Sequence, residues 1–182
     1  MIHKILHKLV YRLRGDHTTE QLIKMGMKVG KNFARLNGVI LDPAHCWLIE
    51  IGNDVTMAPN VHILAHDAST KRYLGYVKIG RVEIGNNVFI GAGSIVLPNV
   101  KIGDNVVVGA NSTVSNNLES GYVYIGNPAR KICSTAEYIE KNRKRMQNCP
   151  CYEEEYTTRK NVSNEKKLQM ITELQESWGF VR

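Results

Sequence analysis

From residue 84 to residue 114 an aliphatic side chain recurs every six positions. Ile84, Ile90, Val96, Ile102 and Val108 each open a hexad, and Val114 opens one more. The fifth position of the same hexads is Val88, Ser94, Val100, Val106 or Ser112, all compact. An upstream block repeats the pattern in its own register, with Ile51, Met57 and Ile63 as openers and Val55 and Val61 as fifth residues. Six residues are too few for a strand plus a helix, but they fit one short strand and a corner. A helix is excluded, because a six-residue apolar period drifts around a 3.6-residue turn and the intervening glycines oppose it. If three such sides close a coil, each sends one aliphatic residue into a narrow interior. Gly and Asn between the openers tolerate the positive φ of tight corners. One coil cannot bury its own face, so stacked coils are the stable unit. The expected fold is all-β, a parallel β-helix.

The two blocks are out of phase. Ile63 and Ile84 are 21 residues apart, not a multiple of six. Part of the chain therefore leaves the coil, and the polar, irregular stretch 65–78 is the candidate, a usual place for functional residues. Three regions follow: an N-terminal arm over 1–28, the β-helix over 29–132, and a helical extension over 133–182. In the arm, Ile2, Ile5, Leu6, Leu9, Val10 and Leu13 share one helical face, and Lys4, Lys8, Arg12 and Arg14 fill the other. Such a helix suits an anionic membrane surface, as a peripheral contact, or packs on the protein or on a neighbouring subunit; the second reading is favoured. In the extension, 134–147 reads as a helix capped by Ser134 or Thr135. A second helix is expected over 164–178, with Leu168, Ile171, Leu174 and Trp178 on one face. These helices are expected to cap the open end of the solenoid.

The formal charge of +7 belongs mainly to residues 1–35, which hold eight Lys/Arg against two Asp/Glu. The repeat region is almost neutral, which argues against nucleic acid as a partner. Cys46 and Cys133 are isolated, and Cys149-Pro150-Cys151 is too tight for a usual metal or redox motif, so reduced thiols are expected. Basic residues interrupt every N-terminal apolar run, and no window approaches the roughly 20 apolar residues of a span. The expected location is cytoplasmic.

Three further segments add chemistry: Trp47-Leu48-Ile49-Glu50-Ile51-Gly52, Ala65-His66-Asp67-Ala68-Ser69 and Gly126-Asn127-Pro128-Ala129-Arg130. With the repeats, they make the chain from Val29 to Ile132 resemble the left-handed β-helix (hexapeptide-repeat) acyltransferases. Within these it is most similar to the sugar and polysaccharide O-acetyltransferases, including the maltose and galactoside acetyltransferases. The resemblance implies left-handed winding, a homotrimer with active sites at the subunit boundaries, acetyl-CoA as co-substrate, and no metal requirement. It also implies a catalytic base at His66, which stands 18 residues before Ile84. The chemistry is consistent, since a hydroxyl attacks a thioester only when a neutral imidazole removes its proton. Asp67, another carboxylate or a backbone carbonyl would orient that ring. His45 and His62 are the competing histidines.

For coenzyme A, the resemblance implies a groove walled by the small residues Ala92, Gly93 and Ala110, with Phe89 against the pantetheine arm. Ser115 and Asn116 match positions that meet the distal cofactor, and Arg130 one that binds its phosphates by a fixed donor fork. Where some relatives carry a second basic residue, this chain has Cys133, and Lys131 is the substitute. On the acceptor side, Asp42, His45 and Trp47 lie one coil before the histidine, and Tyr73 lies on the excursion. The acceptor expected is a sugar hydroxyl, in a surface-polysaccharide or lipopolysaccharide pathway. A sugar-amine N-acetyltransferase, a γ-carbonic-anhydrase-like metal hydrase and a non-catalytic β-helix are the alternatives.

Overall fold

The corners of the repeat set the architecture. Asn32, Asp54, Asn87 and Asn105 all hold φ between 54° and 57°, a left-handed conformation that Asn and Asp enter more readily than other side chains. They stack as a ladder: Asn32 Nδ2 donates to Asp54 Oδ1 at 2.8 Å, and Asn87 Nδ2 to Asn105 Oδ1 at 2.7 Å. Between corners the chain makes strands of two or three residues. The computed structural model describes residues 17–182; the amphipathic segment expected over 2–14 lies outside the described residues.

After a short helix α1 (Thr19–Lys24), the first coil comprises β1 (Lys28–Val29), β2 (Ala34–Arg35) and β3 (Ile40–Leu41). The second is β4 (Ile49–Ile51), β5 (Thr56–Met57) and β6 (His62–Ile63). The excursion carries β7 (His66–Asp67), a one-turn helix α2 (Lys71–Leu74) and β8 (Lys78–Ile79). The third coil is β9 (Val82–Ile84), β10 (Phe89–Ile90) and β11 (Ile95–Val96), and the fourth is β12 (Val100–Ile102), β13 (Val107–Val108) and β14 (Thr113–Val114). Three parallel sheets result, ordered β1-β4-β9-β12, β2-β5-β10-β13 and β3-β6-β11-β14. The second is extended by β15 (Tyr122–Ile125), whose hairpin partner β16 (Arg130–Ser134) runs antiparallel and ends the repeat.

The register shows where residues were inserted. Paired residues are 18 apart between the third and fourth coils on all three sheets. They are 22 apart between the first and second, and 33 apart between the second and third. Both surpluses lie at one corner, where the third sheet hands over to the first. Residues 42–48 form the smaller insertion and 64–81 the larger. The excursion is thus longer than the expected 65–78, and it is ordered. Its base is an antiparallel pairing of His66 with Ile79 and Asp67 with Lys78.

The interior is columns of buried aliphatics: Ile51, Ile84 and Ile102; Val55, Val88 and Val106; Met57, Ile90 and Val108; Ile63, Val96 and Val114. Each such side chain contributes about 1.5–3 kcal/mol of burial. Ser94 and Ser112, also buried, keep their hydroxyls satisfied on the carbonyl of Gly109, at 2.9 and 2.7 Å. Coils also approach too closely for a side chain at Gly52, where a Cβ would lie 2.6 Å from the Gly85 carbonyl.

Residues 136–182 form a second compact unit. Helix α3 (Thr135–Met146) leads into it, and α4 (Asn164–Glu173) follows, capped by the Ser163 side chain on the Lys166 N–H. The second helix stops short of the expected residue 178. The chain turns instead so that β18 (Phe180–Val181) pairs with β17 (Cys151–Tyr152), and Trp178 lies under the Arg145 guanidinium, 5.2 Å away.

Gly52→Ala tests the close coil contact. It is expected to lower stability by about 1–3 kcal/mol, read as a lower urea midpoint at unchanged m-value.

Candidate active site

Where the first two coils meet at the insertion corner, a buried carboxylate holds a half-exposed imidazole. Leu41 pairs with Ile63, so the next residue, Asp42, arrives under the start of the excursion, its N–H donating to the Ile63 carbonyl at 2.9 Å. The Asp42 side chain is 1% exposed and that of His66 35%. Asp42 Oδ2 accepts the Ala65 N–H at 2.9 Å and lies 2.5 Å from His66 Nδ1, while Oδ1 accepts the Ala44 N–H at 3.0 Å. Three N–H donors thus compensate the carboxylate for its lost water. An ionised carboxylate on Nδ1 assigns the proton of the neutral ring to that nitrogen and leaves the Nε2 lone pair for chemistry. The β7–β8 ladder fixes the backbone beneath the ring.

The smaller insertion supplies the neighbours. A single 3₁₀ turn, Cys46–Leu48, follows His45; Cys46 is buried with its thiol on the Leu22 carbonyl at 3.6 Å. This anchor turns Trp47 outward, 55% exposed. The His45 ring lies between Trp47 and His66, with centroids 5.4 and 5.3 Å away. Its Nδ1 is buried and has no hydrogen-bond partner. Asp42, His45 and His66 each present a ligand atom within 4.8 Å of the others.

Asp67 does not orient His66. Neighbours on a strand point to opposite faces, and the Asp67 carboxylate turns away to Lys78 Nζ at 2.5 Å and the Ser69 N–H at 2.8 Å. The Lys78 ammonium first, and the Ser69 N–H after it, hold its carboxyl down at about 2. The carboxylate on the ring is Asp42, a residue expected on the acceptor side. The available signal was its place directly after Ile40-Leu41, the aliphatic end of the preceding coil. His62 stands apart, on the outward row of the third sheet between Ile40 and Ile95.

The remaining expected residues are spread over the solenoid. Ser115 and Asn116, both exposed, follow Val114 on the edge that Asp42 occupies after Leu41. Three strand steps along that sheet, roughly 14 Å at ~4.8 Å each, separate them from the dyad. Ala92 and Ala110 are exposed on successive coils at the opposite end of the same strands, with Gly93 at φ 70°. Phe89 projects outward from β10, and Arg130 is exposed on β16. Lys131 is engaged: it meets Glu119 at 2.5 Å and sits 3.8 Å over the Tyr122 ring. The hydrogen bond to Glu119 raises its pKa. Tyr73 is 83% exposed on α2. A single chain therefore gathers Asp42, His45, Trp47 and His66, and leaves Phe89, Ala92, Ala110 and Arg130 on other faces.

Residues 81–116 match the family model described as bacterial transferase hexapeptide (six repeats). The chain is 37% identical to protein CapG of Staphylococcus aureus over 179 residues, covering 94% of this chain and 98% of that one. Among solved structures, a maltose O-acetyltransferase from Clostridium difficile 630 is 41% identical, with a TM-score of 0.54 over 60% of this chain and 59% of that one. A hexapeptide-repeat acetyltransferase from Vibrio cholerae, solved with acetyl coenzyme A, is 24% identical, with a TM-score of 0.55 over 60% and 61%; this likeness is one of fold. The chain thus spans nearly all of CapG but about three fifths of these two solved proteins.

The dyad makes a spectroscopic prediction. Long-range ¹H–¹⁵N correlation of histidine-labelled protein above neutral pH should show the His66 proton on Nδ1. Asp67→Asn should leave that pattern in place, and Asp42→Ala should mix the tautomers.

Proposed function

The chain belongs to the hexapeptide-repeat acyltransferases, and on that premise we propose that it moves the acetyl group of acetyl-CoA to a sugar hydroxyl with His66 as base. The observation that carries the reading is the contact of buried Asp42 with Nδ1 of a half-exposed His66. In the forward step His66 Nε2 takes the acceptor hydroxyl proton as that oxygen bonds to the thioester carbonyl carbon. Collapse of the tetrahedral intermediate breaks the C–S bond. The departing thiolate of coenzyme A takes the proton from Nε2, and the neutral ring is restored. Asp42 acts through His66: it fixes the ring and its tautomer and stabilises the imidazolium formed in transit.

A sugar acceptor is supported by the 41% identity to the maltose O-acetyltransferase and by Trp47, whose exposed ring beside the dyad offers an apolar face for a pyranose. The expected residues along the solenoid support an assembly of three left-handed β-helices. Small cofactor-groove residues at one corner of a copy would complement the dyad at a different corner of its neighbour. The outward face of the first sheet suits solvent, with Lys28, Glu50, Arg81, Glu83 and Lys101 forming a ladder of ion pairs at 3.0–3.7 Å. Ile40, Phe89 and Tyr73, on other faces, are exposed apolar groups that neighbouring copies would cover.

Thiol release from acetyl-CoA with a panel of sugars and nucleotide sugars tests the reaction. His66→Ala is expected to lower kcat by about 10²–10⁴-fold. Asp42→Ala should lower kcat at least about tenfold with KM for acetyl-CoA little changed, whereas Asp67→Asn, which breaks an exposed ion pair, should stay within about twofold of wild type. Sugar-dependent release that survives His66→Ala would remove His66 as the base. Sedimentation equilibrium should give three times the chain mass, and a stable monomer would remove the inter-subunit groove.

A further inference from the structure

The smaller insertion brings to the dyad a group that acetyl transfer as derived does not use. His45 Nδ1 is buried without a hydrogen-bond partner, and such an orphan nitrogen points to an absent water, ion or ligand atom. The same ring also stands in a cluster of possible ligands. Within 4.8 Å of one another lie one ligand atom each of His45, His66 and Asp42, that is, two imidazoles and a carboxylate. This N₂O set is one that zinc and neighbouring first-row divalent ions prefer over magnesium or calcium. Bonds of about 2.0 Å in tetrahedral geometry require donors about 3.3 Å apart, so an ion would have to draw together donors that lie within 4.8 Å of one another. The half-exposed His66 side chain provides the entry path and leaves a fourth position to water.

We infer that Asp42, His45 and His66 form an inhibitory binding site for a divalent transition-metal ion, with zinc as the preferred occupant. The ion is not a cofactor here; it competes with the reaction. On His66 it takes Nδ1, the nitrogen beside Asp42: the proton of the neutral ring moves from Nδ1 to Nε2, with no net release, and Nε2 becomes a donor that cannot act as base. This silences the ring while the fold stays intact. The effect on rate rests on the reading of His66 as base; the binding itself does not.

The test uses the full chain carrying Cys149→Ser and Cys151→Ser, stripped with chelator, so that the adjacent thiols bind nothing. Titration with Co²⁺ is expected to give a visible d–d spectrum that saturates at one ion per chain and is abolished by Zn²⁺. Calorimetry with Zn²⁺ should give the same stoichiometry. His45→Gln should weaken both by more than the roughly 10–100-fold that loss of a second-shell partner costs, and should raise the Zn²⁺ concentration for half-inhibition of its own residual activity by the same factor. Excess chelator should restore the uninhibited rate. Absence of a Co²⁺ spectrum, or equal Zn²⁺ affinity in His45→Gln and its parent, would overturn the site. Binding that depends on His45 but leaves the rate unaltered would overturn the inhibitory role. Because the spectrum needs neither acceptor nor turnover, failure of the site and failure of the acetyl-transfer reading are distinguishable.

Discussion

Register between coils is the constraint on which the rest of this structure depends. The strands are two or three residues long, too short to be stable alone, so each is defined only by the strand above and below it. A slip of one residue would turn every aliphatic opener out to solvent. The corners prevent the slip, because Asn32, Asp54, Asn87 and Asn105 each sit in the left-handed region and two pairs of their side chains bond across coils. Corner chemistry and core chemistry therefore specify the same alignment, and neither would suffice alone. Stability in such an array is the sum of contacts between neighbouring coils, which makes any site spanning two coils sensitive to that one interface.

The dyad is such a site. Asp42 belongs to the first coil and His66 to the second, and the Ala65 N–H on Asp42 Oδ2 fastens the two together beside the imidazole. Both insertions leave from one corner on adjacent coils, so the polar groups they carry converge while every other corner keeps its plain three-sided path. The excursion contributes its rigid base, not its exposed tip. His66 is held in a strand pair, and Tyr73 and Tyr76 extend into solvent beyond it.

How much of this was legible in the sequence follows from the range of each signal. The coil repeat was readable because its period is short and local: six residues, an aliphatic opener and a turn former. The excursion was readable as a phase error between Ile63 and Ile84, but its internal hairpin was not, since antiparallel pairing of His66 with Ile79 leaves no alternating apolar pattern. Asp42 was seen as a site residue, but not as the partner of His66. Its partnership with His66 spans 24 residues and a register step of 22 that only the stacked sheets reveal. Asp67 is one of the orienting groups the sequence leaves open, and adjacency on a strand puts its side chain and that of His66 on opposite faces. The second C-terminal helix was overextended because the apolar spacing runs on to Trp178, while the helix ends at Glu173 and the chain goes on to pair β18 with β17.

A general base and a metal ligand are chemically the same object, a neutral imidazole with an accessible lone pair. What separates the two roles is whether further donors stand within reach. Here one element supplies both outcomes. The stretch that follows Leu41 sets Asp42 against Nδ1, which leaves Nε2 as the open nitrogen of the His66 ring. Three residues later it places His45 beside the same ring, which completes a ligand set. The turn that does this is pinned by Cys46 under α1, so His45 is not free to swing clear. Trp47, displayed by the same turn, presents an exposed apolar face beside the ring. On the proposed reading, an acceptor seated there would exclude an ion and shield the dyad from water, so occupancy by acceptor and occupancy by metal would be mutually exclusive states of one corner.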